Sequence, residues 1–101
     1  MGPDGHTCSL FPKHKLLNEK KKLVAAITDS PKPPSNRITM TYKLVNSALC
    51  AMFVTAGKSK KEALQKVIFE KEKSGLPAAL VKASQVLWFV DVEAASLLSS
   101  L

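Results

Sequence analysis

An α/β fold with a largely parallel sheet is the class this sequence predicts, and three observations carry it. Short apolar runs of strand length alternate with segments whose apolar residues recur at helical spacing, as when helices cross over between strands of one sheet. One run, Leu49-Cys50-Ala51-Met52-Phe53-Val54, is apolar without a break, the pattern of a strand covered on both faces. Ala56-Gly57 interrupts it, and Ser59-Lys60-Lys61-Glu62 then has the capping-box spacing that opens a helix. At 101 residues the chain is one domain at most.

In chain order, Lys13 to Glu19 predicts a short helical turn, and Lys20-Lys21-Lys22 a solvated basic loop. Leu23-Val24-Ala25-Ala26-Ile27 is a first strand. Asp29 to Asn36, with three prolines, is a stiff loop, and Arg37-Ile38-Thr39-Met40 is a second strand. Thr41 caps a helix to about Ala48 that gathers Leu44, Val45 and Ala48 on one side. After the apolar strand, the capping box opens a helix with Ala63, Leu64, Val67 and Ile68 on one face, and Gly75 ends it. Leu76-Pro77 begins a short helix through Val81, and Val86 to Val90 is the last strand. Asp91 caps a terminal helix carrying Ala94, Ala95, Leu97 and Leu98.

The formal charge of +7 favours anionic partners without selecting one. Lysine runs at Lys20-Lys21-Lys22 and around Lys60 have little aromatic interleaving, so they read as solvated faces and no nucleic-acid partner is expected. No apolar run approaches membrane length, and none lies behind a basic N-terminal segment, so neither a membrane partner nor a signal peptide is expected. Two cysteines, Cys8 and Cys50, form no disulfide framework, which points to a reducing, cytoplasmic compartment. His6, Cys8 and His14 match no standard metal spacing.

The chemistry-bearing stretch is Gly2-Pro3-Asp4-Gly5-His6-Thr7-Cys8-Ser9-Leu10-Phe11-Pro12. Two glycines bracket a fixed proline φ and an acid, so the segment reads as a tight loop that aims His6. A carboxylate two residues before an imidazole is suited to orienting it, and imidazole titrates where a general base works best. Cys8 is a poor candidate nucleophile, because a nearby histidine is only half of what activation needs.

This string resembles the active-site motif of the 6-phosphogluconolactonase branch of the glucosamine/galactosamine-6-phosphate isomerase family. Ile27-Thr28-Asp29-Ser30-Pro31-Lys32-Pro33-Pro34 with Arg37-Ile38-Thr39 matches a second stretch, and Phe53-Val54 with Gly57 and Lys60 a third. Leu76-Pro77-Ala78-Ala79-Leu80-Val81 and Trp88-Phe89-Val90-Asp91 with Ala94-Ala95 match two more. The resemblance implies a Rossmann-like three-layer sandwich with a mostly parallel sheet. Residues 1–101 would be a single partial domain, the C-terminal half of that fold. It also implies hydrolysis of 6-phospho-D-glucono-1,5-lactone to 6-phosphogluconate in the oxidative pentose phosphate pathway, without metal or other cofactor. His6 would be the base and Asp4 its orienting acid. Gly5 would serve the substrate through the loop backbone, and Lys60 and Arg37 would hold the phosphate. Lys60 is favoured by its place in the first turn of a helix after a strand and a glycine. Arg37 is equally well read as a salt-bridging arginine at a strand start.

Two other classes remain. Amino-sugar-phosphate isomerases and deaminases of the same family carry a glutamate where Phe11 stands, so that reading recedes. A non-catalytic fragment or a basic interaction module is the alternative, because a chain holding half of the fold is expected to turn over substrate weakly or not at all.

Overall fold

A computed structural model describes residues 1–99. Its regular elements are β1 (Val24–Ile27), β2 (Arg37–Met40), α1 (Tyr42–Val45), β3 (Cys50–Thr55), α2 (Lys61–Gln65) and β4 (Gln85–Val90). Single 3-10 turns lie at Lys15–Asn18, Lys58–Lys60, Lys71–Ser74 and Pro77–Leu80, and a π-helical turn at Lys66–Glu70.

The strands form two pairs. β3 and β4 run parallel, from Cys50 opposite Gln85 to Thr55 opposite Val90. The helical connection between them makes this possible, since parallel neighbours need a long crossover. β1 and β2 are joined only by the proline loop and pair antiparallel, Val24 opposite Met40 and Ile27 opposite Arg37. The parallel α/β unit expected from the alternation is therefore the β3–α2–β4 crossover, with an antiparallel pair beside it.

Helices are shorter than the periodicity predicts. α1 stops at Val45 rather than near Ala48, because Asn46 turns its side-chain oxygen to the N–H of Lys82 at 2.7 Å and Ser47 donates its hydroxyl to Leu44 at 2.6 Å. Such local polar bonds compete with the helix. Thr41 does not cap it through its side chain; that hydroxyl is buried and donates to the carbonyl of Lys22 at 2.6 Å. Gly57, at φ 99°, and not Ser59, occupies the N-terminal boundary before Lys58–Lys60. The helical stretch from there is broken by the π turn, which buries Val67 and leaves Phe69 exposed, before Gly75 ends it at φ 70°. Asp91 does act as a cap, accepting the N–H of Ala94 at 2.8 Å, although residues 92–97 are turns rather than a regular helix.

Two apolar clusters hold the chain together. Leu10, Phe11, Leu16, Ala25 and Ile27 fix the motif loop against the β1–β2 pair. Phe53, Val67, Ala78 and Val81 join helices to the inner face of β3–β4, where the Phe53 and Trp88 rings stack at 4.1 Å and 6°. Tyr42 packs on both clusters. The opposite face of β3–β4 is not covered. Met52, Val54 and Phe89 are 66%, 78% and 54% exposed, where the unbroken apolar run predicts burial on both sides.

Candidate functional site

The Gly2–His6 loop closes on itself. Gly5 donates its N–H to the carbonyl of Gly2, and Gly2 donates to the carbonyl of His6, each at 2.9 Å. Gly5 sits at φ 85°, with Leu76 so close that an added Cβ would lie 2.9 Å from it. Its carbonyl accepts the N–H of Ala78. Glycine is thus required here by backbone conformation and close approach together. The same bonds turn the Gly5 N–H inward, so the substrate contact expected of its backbone donor is not offered by this conformation.

Within the loop, the Nδ1 of His6 lies 2.6 Å from the Oδ1 of Asp4, and the His6 N–H also donates to that oxygen at 3.1 Å. A neutral ring that donates Nδ1–H to a carboxylate keeps Nε2 as a free acceptor, the state a general base needs. Burial raises the Asp4 pKa. Hydrogen bonds from the His6 ring and N–H, with the charges of His6 and Lys32, outweigh burial and hold it below the ordinary carboxylate value. Gly2 leaves room for the ring: a Cβ there would fall 2.2 Å from its Cε1. On its other side the ring rests on Phe11, centroids 4.6 Å apart, and Phe11 is only 1% exposed.

Lys60 is brought to the same loop. Its Nζ donates to the carbonyl of Met1, adjacent to the Gly2 that abuts the imidazole. The turn that presents it is pinned by Asp91, whose two carboxylate oxygens each accept the N–H of Gly57 at 3.1 Å. Imidazole and ammonium therefore flank one peptide unit, although they are far apart in sequence. Arg37 stands behind them, its guanidinium 5.5 Å from the Phe11 ring centroid. Its nitrogens donate to the carbonyls of Pro34, Lys32 and Pro33 at 3.0, 3.1 and 2.9 Å, and to Ser9 Oγ at 3.5 Å. The fork thus binds the proline loop instead of lying open for a phosphate.

Three further groups bear on the site. His14 pairs with Asp29 at 2.8 Å and accepts the N–H of Leu16, so it fastens the 15–18 turn to the proline loop. Partial burial pushes the Cys8 thiol pKa up, which lowers its nucleophilicity. Thr55 ends β3 just before the Lys60 turn, and its buried hydroxyl has no hydrogen-bond partner. Nothing in its sequence context singles it out, because threonine is an ordinary strand residue. Among the described residues no three His, Cys, Asp or Glu side chains gather as metal ligands.

A parallel crossover whose first strand leads through a glycine into a lysine-bearing turn, with a histidine–aspartate pair on a neighbouring loop, defines an α/β protein. Residues 1–88 match the family described as glucosamine-6-phosphate isomerases/6-phosphogluconolactonase, and the chain belongs to that family. It is 50% identical to the 6-phosphogluconolactonase of Bos taurus over 101 residues, covering 98% of this chain and 39% of that protein. The crystal structure of devB protein superposes with a TM-score of 0.86 at 26% identity, over 97% of this chain and 42% of that one. The 6-phosphogluconolactonase of Thermotoga maritima superposes with a TM-score of 0.73 at 34% identity, over 89% and 39%. The chain thus spans about two fifths of the relatives it matches, and the α/β fold is shared with solved lactonases. Three layers imply helices on both sheet faces; the described residues cover the Phe53–Trp88 face and leave the Met52–Val54 face open.

Proposed function

We propose that this chain carries the catalytic dyad and a phosphate-binding lysine of a 6-phosphogluconolactonase, and that its residues serve hydrolysis of 6-phospho-D-glucono-1,5-lactone to 6-phosphogluconate in the pentose phosphate pathway. The observation that supports it most is that the Lys60 ammonium bonds the Met1 carbonyl while the His6–Asp4 pair abuts the adjoining Gly2. The Nε2 of His6 takes a proton from water as its oxygen bonds to the lactone carbonyl carbon. The ring C–O bond then breaks, and the imidazolium returns the proton to the departing alkoxide. Asp4 stabilises the imidazolium and holds the ring, as an acid does beside a catalytic histidine. Lys60 neutralises the phosphate. Arg37 adds positive potential from behind Phe11, and Gly5 gives the loop its corner. No step passes through a metal or cofactor. The sugar-phosphate lactone is the only partner this reading requires, and a cytoplasmic location fits the free thiols of Cys8 and Cys50.

Phe11 favours the lactonase branch of the family over the isomerases and deaminases. An isomerase or deaminase needs an acid there for ring opening, and this position is a buried phenyl ring against the imidazole. Hydrolysis of the lactone by wild-type and His6→Ala chains tests the reading. Turnover by the wild type is expected to be weak, and His6→Ala is expected to remove it, since a positioned general base contributes roughly 10²–10⁴-fold. Addition of 6-phosphogluconate is expected to shift the His6 and Lys60 resonances together. An unaltered rate in His6→Ala, or a product that perturbs neither residue, overturns the assignment.

A further inference from the structure

The lysine-bearing turn after β3 starts at a residue that gives it no rigidity of its own. Gly57 stands at φ 99° and ψ 150°, a conformation that side chains resist, and an added Cβ would meet nothing within 4 Å. Backbone conformation, and not crowding, is what asks for glycine here. Such a residue leaves its conformation easily, because glycine has the most backbone freedom to lose. The hold on it comes from the neighbouring strand. Thr55 and Val90 are the last partners of the parallel pair, so β3 runs on into Gly57 close to where β4 runs on into Asp91. Both oxygens of the Asp91 carboxylate accept the Gly57 N–H at 3.1 Å, and Oδ1 also accepts the N–H of Ala94 at 2.8 Å. Gly57 in turn accepts the Lys60 N–H on its carbonyl at 3.2 Å. The bonds from Ala94 and Gly57 hold the Asp91 pKa below its ordinary value, so the group is ionised at neutral pH. Among the described residues it has no ion-pair partner; its charge is met by backbone N–H groups.

We propose that Asp91 is a positioning residue for phosphate recognition. By clamping Gly57 it holds the Lys60 ammonium at the Met1 carbonyl beside the His6 loop, so that a phosphorylated sugar acid is bound in preference to the same acid without phosphate. This role rests on Lys60 being the group that grips the phosphate. Two features select positioning over direct contact. A carboxylate repels a phosphate, so Asp91 does not hold the ligand itself. Its oxygens are also engaged already, by the N–H groups of Gly57 and Ala94. A lysine stem is flexible, so the place of its ammonium depends on where its backbone is held. The clamp lies at the carboxyl ends of two parallel strands, where open α/β sheets bind their ligands.

The test compares 6-phosphogluconate with gluconate as ligands of this chain, by magnetic-resonance titration of His6 and Lys60. Asp91→Ala is expected to weaken 6-phosphogluconate about tenfold, the loss of one hydrogen bond to a charged group. Gluconate binding and the Nδ1 proton resonance of the His6–Asp4 pair are expected to stay as in the wild type. Asp91→Asn keeps an acceptor oxygen and caps as well as aspartate, and is expected to recover most of the loss. Asp91→Ser keeps a cap for Ala94 with one oxygen in place of two, and is expected to bind as weakly as Asp91→Ala; it carries the comparison if the alanine variant does not fold. A general structural role would weaken both ligands together and disturb the dyad resonance, and that result overturns the proposal. So does wild-type affinity in Asp91→Ser, or tighter binding of 6-phosphogluconate, the sign of plain charge repulsion. Lys60→Gln separates the two readings. If it weakens 6-phosphogluconate and the Asp91 variants do not, only the clamp is refuted; if it changes nothing, the phosphate role of Lys60 falls and the clamp with it.

Discussion

Tyr42 ties the two halves of the core together, and Tyr42→Phe isolates that tie. The phenol donates to the carbonyl of Pro77 at 2.7 Å, linking the start of α1 to the turn over the second cluster, while its ring packs on both clusters. Phenylalanine keeps the ring and removes only the hydroxyl. The loss at pH 7 is the net value of one hydrogen bond, about 1 kcal/mol. A second signature follows from the titration. Burial, and the charge of Cys8 when ionised, push the Tyr42 pKa up from its ordinary value. A group whose pKa is raised on folding gives its full stabilisation below its unfolded pKa, about 10 for tyrosine, and loses it as pH rises. The wild type should therefore weaken above pH 10 relative to Tyr42→Phe. The limiting slope is about 1.4 kcal/mol per pH unit, reduced because water screens a half-buried phenol. Urea unfolding read by Trp88 fluorescence measures both, since the indole is stacked on Phe53 in the cluster that Tyr42 supports. A difference below about 0.3 kcal/mol at pH 7, or one that stays constant to pH 11, refutes the reasoning.

Other substitutions probe the motif loop and the end of β3. Gly2→Ala places a methyl group 2.2 Å from His6 Cε1 and 2.8 Å from Asp4 Oδ1. It should displace the ring and cost about 1–3 kcal/mol; the check is loss of the downfield Nδ1 proton resonance of the dyad. Thr55→Val replaces a buried hydroxyl without a partner by a methyl of similar shape. The expected change is neutral to about 1 kcal/mol stabilising, and a clear fall in urea midpoint would mean that the hydroxyl is paired in solution. Asp4→Asn removes a carboxylate whose pKa is lowered on folding. Such a group stabilises above its unfolded pKa and loses that contribution as pH falls through the lower folded value, so the variant should show a flatter stability profile below about pH 4.

The local chemistry of this protein is legible in its residues. The Gly2–His6 loop, the strands at Val24–Ile27, Arg37–Met40, Cys50–Thr55 and Gln85–Val90, the stop at Gly75 and the cap at Asp91 all follow from short-range rules of backbone freedom, alternation and capping. Family membership was carried by the order of five motifs. What periodicity did not settle was set by distant partners. Asn46 leaves its helix for Lys82, and Thr41 turns from capping to the Lys22 carbonyl. Each depends on a group far away in sequence or on a fold of the chain that no local window contains.

The sequence by itself determined a histidine held by an aspartate two residues away, because that geometry needs only one tight turn. Only the tertiary structure decided that Lys60 reaches the same peptide and that the Met52–Val54 side of the sheet stays open. An unbroken apolar run says that a strand wants cover on two faces; whether both are covered depends on what the rest of the chain can supply.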